Sequence, residues 1–391
     1  MPRRSLLLAA VAALAISGCS LKSDSDGGGS IGKGVKSDTK QAASQLGFPV
    51  AATRDTTRVS GEDPVADAAG VAEALFPASS PDTRPGSVAL ADKNDWQAGV
   101  AASVLAGDPL HAPILLSDGG SLPGATSGTL GRLKPKGQAL SKGAQVILVG
   151  DQPPAPGGYK SGRVHGKDPA SIAAAVDSFQ TAVAGKPSDT VIVASSDQPA
   201  FAMPAATWSA RSGNPVLFVE RNSIPAPTRK AIGLHAKPKI LIMGPPGLIS
   251  TAVEAELKKL GDVTRIQAKE PGPVAAAAEF ARSQQTWGAD HPGRNFALVN
   301  VTRPSDAAAA AALGSNGVFA PLLLTDKANA MPPALEAYLL DVQPGYENDD
   351  PSEAVYNRVW ILGNTDTVSQ DVQARIDQLT QLVPVDRPPK Q

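Results

Sequence analysis

Three near-copies of one pattern run through this chain, which restricts it to folds built from repeated units. The segments Arg58-Val-Ser-Gly-Glu-Asp-Pro64, Arg163-Val-His-Gly-Lys-Asp-Pro169 and Arg265-Ile-Gln-Ala-Lys-Glu-Pro271 share an arginine, a β-branched residue, two small or polar positions, a carboxylate five residues on and a proline. Their arginines are 105 and 102 residues apart. Pro113-Ile-Leu-Leu, Pro215-Val-Leu-Phe and Pro321-Leu-Leu-Leu recur at intervals of 102 and 106. Val146-Ile-Leu-Val-Gly150, Ile240-Leu-Ile-Met-Gly244 and Val359-Trp-Ile-Leu-Gly363 follow in the same order. Three related modules are therefore expected to fill the chain after its first forty residues.

Asp63, Asp168 and Glu270 each stand before a proline and an alanine-rich stretch, at 65–76, 170–183 and 273–282, with apolar residues at helical spacing. A carboxylate at the N-cap accepts orphan amide protons, and proline at the first helical position has none to lose, so these acids predict helix starts. Glu270 is the poorest cap of the three. A strand is expected next, at 87–91, 190–194 and 296–300, then a small-residue helix at 97–105, 200–209 and 306–313, then the proline-led strand. Four consecutive apolar residues without alternation indicate a strand covered on both faces, as in a parallel sheet between helices. Ser121-Leu-Pro123, Ser223-Ile-Pro225 and Ala330-Met-Pro332 open a further helix, and the strand ending at Gly150, Gly244 or Gly363 completes the alternation. The pattern predicts an α/β protein of three tandem doubly wound modules, at 41–160, 161–262 and 263–386.

The copies differ beyond that last strand. Helices are expected at 251–260 and 369–379, whereas the proline- and glycine-rich 151–162 offers none unless residues 40–46 substitute for it. An acidic insertion at 343–357, with Glu347, Asp349, Asp350 and Glu353, lacks the ligand spacing and central glycine of a calcium loop and reads as a solvated loop.

Residues 1–18 combine Arg3 and Arg4 with an apolar run too short to span a bilayer and small residues before Cys19, which is the pattern of a lipoprotein signal peptide. Cys19, the chain's single cysteine, is then the expected lipid attachment site. The arginine pair does not decide between two export routes. Residues 19–40 are poor in large apolar side chains and are expected to form a flexible tether. With one cysteine no intrachain disulfide can form, so each module of about a hundred residues must be held by its own core. The whole chain carries a formal net charge of −1, and loss of the two leader arginines makes it more acidic. No basic face of the kind that binds nucleic acid is indicated. The expected setting is extracytoplasmic, with the lipid as the only membrane contact.

Taken in order, the alanine-rich helix, the Pro-Ile-Leu-Leu strand, the Ser-Leu-Pro turn, the Val-Ile-Leu-Val-Gly strand and the Arg-Val-x-Gly motif resemble the cell wall-binding repeat type 2 family. The resemblance covers roughly residues 55–385, and three copies is usual in that family. It implies an exported, non-enzymatic, monomeric protein whose three Toprim-like modules pack as an intramolecular pseudo-trimer and attach to an anionic or secondary polymer of the cell wall. The family often reads Asn-Phe-Pro-Asp-Ala-Leu after a module's first strand. Asp306-Ala307 fits, whereas Gln97-Ala98 and Ala200-Phe201 occupy the corresponding places and lack that aspartate.

Arg58, Arg163 and Arg265 could present planar guanidinium forks to phosphate or carboxylate groups of a polymer, or could serve hydrogen bonds inside each module. Asp118, Glu220 and Asp326 fall just beyond the doubly covered strand, where open α/β sheets bind ligands. They could take a cation or sugar hydroxyls, or tie down the loop into the next helix. His111, His165, His235 and His291 share no repeat position and no zinc-binding spacing, so neither a metal nor a cofactor is expected. No nucleophile elbow, Walker loop or dinucleotide fingerprint is present. Two other readings remain open at this stage: a solute-binding lipoprotein of a transporter, which would show two lobes and one cleft, and a hydrolase of wall glycan or its accessory factor.

Overall fold

The computed structural model describes residues 50–59, 61–346 and 354–385. Cys19, residues 40–46 and the acids Glu347, Asp349, Asp350 and Glu353 lie outside them. The chain opens with β1 (Val50–Ala52), β2 (Thr56–Val59), α1 (Pro64–Leu75), β3 (Val88–Asp92), α2 (Trp96–Ala102), β4 (Ile114–Ser117), α3 (Gly124–Leu133), β5 (Val146–Val149) and β6 (Ser161–Val164). It continues through α4 (Pro169–Ala184), β7 (Thr190–Ser195), α5 (Pro199–Ala202), α6 (Ala205–Ser212), β8 (Val216–Val219), α7 (Ala226–Gly233), β9 (Lys239–Met243), α8 (Thr251–Leu257) and β10 (Asp262–Ile266). Last come α9 (Pro273–Arg282), β11 (Asn295–Asn300), α10 (Asp306–Ala310), β12 (Leu322–Thr325), α11 (Pro333–Asp341), β13 (Gly345–Tyr346), β14 (Arg358–Leu362), α12 (Gln370–Thr380) and β15 (Val383–Pro384).

Apart from the two-stranded pair of β13 and β15, these elements form three sheets with one strand order. In the first, β4, β3, β5 and β6 lie side by side; in the second, β8, β7, β9 and β10; in the third, β12, β11, β14 and β2, with β1 added outside β2. All pairs are parallel except β1 with β2. The proline-led strands β4, β8 and β12 are buried at every position, as expected for strands covered on both faces.

The sheets cross the module boundaries expected from sequence. The strand holding Arg163, placed at the head of 161–262, pairs with β5 and completes the sheet of the preceding segment. Its counterpart β10 does the same for the second sheet. The strand holding Arg58 instead closes the third sheet by pairing with β14, 303 residues away in sequence (Leu362 with Val59, Ile361 with Arg58). A strand donated from one end of the chain to a sheet built by the other end covers an edge that would otherwise be open.

Local chemistry explains where most elements begin. Asp63 accepts the Ala66 amide at 2.9 Å and Asp168 the Ser171 amide at 2.8 Å, each with proline at the next residue. Glu270 does not cap: α9 starts from Gly272, with φ 105°, and Pro273. The small-residue helix expected at 200–209 is split into α5 and α6 around Pro204. No helix forms between β5 and β6, where the chain is rich in proline and glycine. Part of the insertion expected as loop pairs instead, β13 against β15.

The three segments meet through their smallest side chains. Gly99 in α2 faces Ala308 in α10, Gly107 lies on the Ala210 backbone at the end of α6, and Gly314 lies on the Thr207 backbone of the same helix. Around them Ala98, Ala102, Ala202, Ala206, Ala307 and Ala311 are at most 1 % exposed. Side chains no larger than a methyl group let three helices approach closely enough to exclude water.

Candidate functional site

The three repeated arginines do one job. Gly150, Gly244 and Gly363 follow directly on β5, β9 and β14 with φ of 75°, 91° and 99°, a left-handed conformation that glycine adopts without a Cβ penalty. That turn aims each carbonyl at the arginine of the neighbouring strand. Arg58 donates to Gly363 O at 2.9 Å and Asn364 O at 3.0 Å, Arg163 to Gly150 O at 3.4 Å and Gln152 O at 3.0 Å, and Arg265 to Gly244 O at 2.8 Å and Ile249 O at 2.9 Å. The helix after the glycine adds a side-chain acceptor where it exists: Gln373 from α12 holds Arg58 Nε at 2.8 Å, and Glu254 from α8 holds Arg265 Nε at 2.9 Å. None of these bonds goes to Asp63, Asp168 or Glu270. The Arg58 guanidinium is so enclosed that burial lowers its pKa to about 10, against the opposing pull of Asp67.

The carboxylates beyond the buried strands are all exposed. Asp118 pairs with Lys93 at 3.0 Å, accepts from Asn94 at 3.2 Å, and bridges through its backbone to Ser121. The Lys93 and Asn94 hydrogen bonds hold its pKa below the usual carboxylate value. Glu220 accepts from Ser223 at 2.5 Å. Both thus tie down the loop that leads into the next helix while their outer faces remain in solvent. Asp326 carries no side-chain hydrogen bond among the described residues.

The seam between the third and first segments holds a buried ionic cluster. Arg303, just before α10, reaches across to Asp67 in α1 and lies 2.9 Å from Asp306 at the start of α10. The Arg303 Nε and Asp306 Oδ2 atoms are within ion-pair distance yet out of line for a hydrogen bond, so neither has a hydrogen-bond partner. Asp67 also accepts the Gly61 amide at 2.8 Å and the Gly363 amide at 3.1 Å. Both carboxylates are fully buried. Counting from the helix-opening prolines, Asp67 takes the place of Ile172 and Ala276, so the other two copies are apolar there. The sequence signal for the cluster is a polar residue at a position that is apolar in the other copies.

Two buried carboxylates share one arginine, and burial dominates their titration. It raises Asp67 to about 7, against the pull of Arg303 and the two backbone amides. Asp306 is likewise raised, by burial first and then by Asp67. A carboxyl whose folded pKa exceeds its unfolded value of about 4 binds protons preferentially in the native state. Its contribution is fully present below about pH 4 and lost as pH rises through about 7. His235 acts in the same direction at higher pH: burial lowers its pKa, but Asp177 and the Ser188 carbonyl together raise it by more. The melting temperature is therefore expected to be higher at pH 5.5 than at pH 8, by about 5 °C. Asp67→Asn should remove most of that slope, and a profile unchanged by the substitution would show that the cluster does not set it.

Among the described residues, no group of three His, Cys, Asp or Glu side chains is arranged to hold a metal ion, and no helix is long and apolar enough to cross a membrane.

The architecture is thus that of an α/β protein with parallel sheets repeated three times along one chain. The same fold is found in Cwp8 from Clostridium difficile, a cell wall protein, with a TM-score of 0.64 at 18 % identity over 84 % of this chain and 52 % of the other. Cwp6 from Clostridium difficile, also a cell wall protein, is similar with a TM-score of 0.62 at 14 % identity over 82 % of this chain and 48 % of the other. The chain spans about half the length of those two proteins, and the likeness is one of fold. No family model matches the sequence. No curated protein matches it either.

Proposed function

We propose that this chain is a non-enzymatic protein of the cell envelope whose three modules, packed as an intramolecular pseudo-trimer, attach it to a polymer of the cell wall. The observation that carries this reading is the likeness of more than four-fifths of the chain to two cell wall proteins. Support comes from the three sheets of one strand order, whose small-residue helices pack together, an arrangement unlike the two lobes of a solute-binding protein. Because the repeated arginines are consumed by strand-end carbonyls, polymer contact falls to the exposed strand-end acids Asp118, Glu220 and Asp326, one per module. Carboxylates in that setting suit a hydroxyl-rich secondary glycan, or an anionic one through a bridging cation, better than direct binding of phosphate. Cys19 carries the lipid that holds the protein at the membrane, facing the wall.

Purified protein is expected to sediment with isolated walls of the organism that makes it, and to lose most of that binding when secondary polymers are stripped from the walls. The triple variant Asp118→Asn, Glu220→Gln, Asp326→Asn should weaken binding at least tenfold, about 1.4 kcal/mol, without changing the melting temperature by more than a few degrees. Equal sedimentation with stripped and intact walls would overturn the polymer assignment, and release of soluble wall fragments by the pure protein would overturn the non-enzymatic one.

A further inference from the structure

The first segment concentrates unpaired positive charge at one end of its sheet. Between Lys134 and Lys160 the chain has four lysines and a single acid, Asp151, which lies past the far end of β5. Lys134 and Lys136 follow α3, Lys142 precedes β5 and Lys160 precedes β6, so the group falls at the N-terminal ends of parallel strands, opposite the strand-end carboxylate Asp118. Hydrogen bonds gather it. Lys160 Nζ donates to Lys142 O at 2.6 Å, the Lys160 amide to Gln145 Oε1 at 3.0 Å, and Gln145 Nε2 at 2.6 Å to the carbonyl of Pro135, which stands between the other two lysines. All four side chains are exposed, and none forms an ion pair among the described residues. Glu73, which reaches the end of α3, is taken by Arg132. Asp82 and Arg84, on the loop that meets Lys136 through Pro85, add one charge of each sign.

Two of these lysines occupy backbone that disfavours them. Lys134, which ends α3, has φ 44°, and Lys142 has φ 53°. Glycine takes that left-handed conformation freely and is the usual residue at such a helix end, so each lysine costs folding energy that glycine would not. The loop between them is pinned. The amides of Lys136 and Gly137 donate to Pro85 O at 3.1 Å and Gly86 O at 2.7 Å, and those of Lys142 and Gly143 close a turn on Ala139 O at 2.9 Å and Gln138 O at 2.8 Å. That turn presents Leu140, 48 % exposed, between Lys136 and Lys142 in the chain. The second segment repeats part of the arrangement, with Lys237-Pro238-Lys239, φ 63° at Lys237 and Leu234 63 % exposed. There, however, α8 brings Glu254 and Glu256, which pair with Lys258, Lys259 and Arg229. The third segment reads Gln343-Pro344-Gly345.

We propose that the lysine and leucine surface of the first segment docks on an anionic phospholipid bilayer. Leu140 enters the boundary between headgroups and acyl chains, while Lys134, Lys136, Lys142 and Lys160 lie among the lipid phosphates. A soluble polyanion would reward the lysines alone and leave the leucine in water; a lipid surface rewards both. Docking this way turns the opposite end of the sheet, with Asp118, away from the membrane.

The test is flotation of the chain from residue 19 onward, with Cys19→Ser so that no acyl chain contributes, on vesicles of phosphatidylcholine alone and of phosphatidylcholine with roughly one-third phosphatidylglycerol. Binding is expected to be about tenfold or more tighter on the anionic vesicles and to weaken as salt is raised. Lys136→Glu with Lys142→Glu should remove most of that preference. Leu140→Ser, which alters no charge, should weaken binding to the anionic vesicles about threefold or more. All three side chains are exposed, and the melting temperature is expected to stay that of the parent. The proposal is overturned if the two kinds of vesicle bind alike, if the double charge reversal has no effect, or if Leu140→Ser has none, the last being the result expected for a soluble polyanion. No wall is present in the experiment, so its failure leaves wall attachment standing.

Discussion

Gly107→Val is expected to prevent the native packing of the three segments. A Cβ at residue 107 would fall inside the van der Waals radius of the Ala210 carbonyl, an atom of the α6 backbone that cannot rotate away. Gly314 meets the Thr207 carbonyl of the same helix in the same manner, so one face of this helix, at residues three apart, receives glycines from the two other segments. Relief would require α6 to move as a body, and its Ala205, Ala206 and Ala210 are at most 1 % exposed, in a core that packs too densely to yield. Overpacking in a well-filled core costs about 1–3 kcal/mol, and a clash with backbone belongs at or above the top of that range. A fall in melting temperature of at least 10 °C, or recovery of the protein only as aggregate, is the expected reading. Gly131→Ala, on the exposed face of α3 with no atom near its Cβ position, is the matched control and should leave stability unchanged or slightly raised. A Gly107→Val protein that melts with the parent would show that the seam is slack.

Arg303→Met is the second large effect. It removes the single cation shared by Asp67 and Asp306, both fully buried, and leaves Asp67 with only the Gly61 and Gly363 amides. Breaking a buried ion pair from one side typically costs about 3–5 kcal/mol, because the remaining charge has neither water nor partner. Here the residual carboxyls can escape by binding protons, so the loss should be smaller at pH 5 than at pH 8, and the ratio of the two is a direct reading of the cluster. Replacing the whole cluster with apolar residues, Asp67→Ile with Arg303→Met and Asp306→Ala, copies the apolar character of the second segment at residue 172 and should recover most of the stability. If the single variant loses less than about 1 kcal/mol at pH 8, the charges are solvated and the seam is held by the alanine packing alone.

Much of this fold was legible in the sequence because each repeat confirms the other two. The N-caps Asp63 and Asp168, the doubly covered strands and the strand-ending glycines are local features, governed by hydrogen bonds and φ angles within a few residues. Glu270 misled for a local reason as well: Gly272 and Pro273, two and three residues further on, set the helix start in its place. What the sequence left open were pairings over hundreds of residues. Arg58, Arg163 and Arg265 were visible as a repeated set, but their acceptors are backbone carbonyls, which leave no trace in residue type. Asp67 and Arg303 are separated by 236 positions and are joined only when β2 enters the third sheet. Asp177 and His235 belong to positions where the repeat fails, and a failed repeat is conspicuous only after the copies have been superposed.

The sequence by itself determined three α/β units with covered parallel strands, since apolar runs, caps and turn residues act over short distances and were written three times. The tertiary structure alone decided that each Arg-bearing strand belongs to the sheet before it and that the first such strand closes the last sheet. The physical reason is that a parallel strand's partner is chosen by which exposed edge is left to satisfy its amides and carbonyls, and that edge exists only once the rest of the chain has folded.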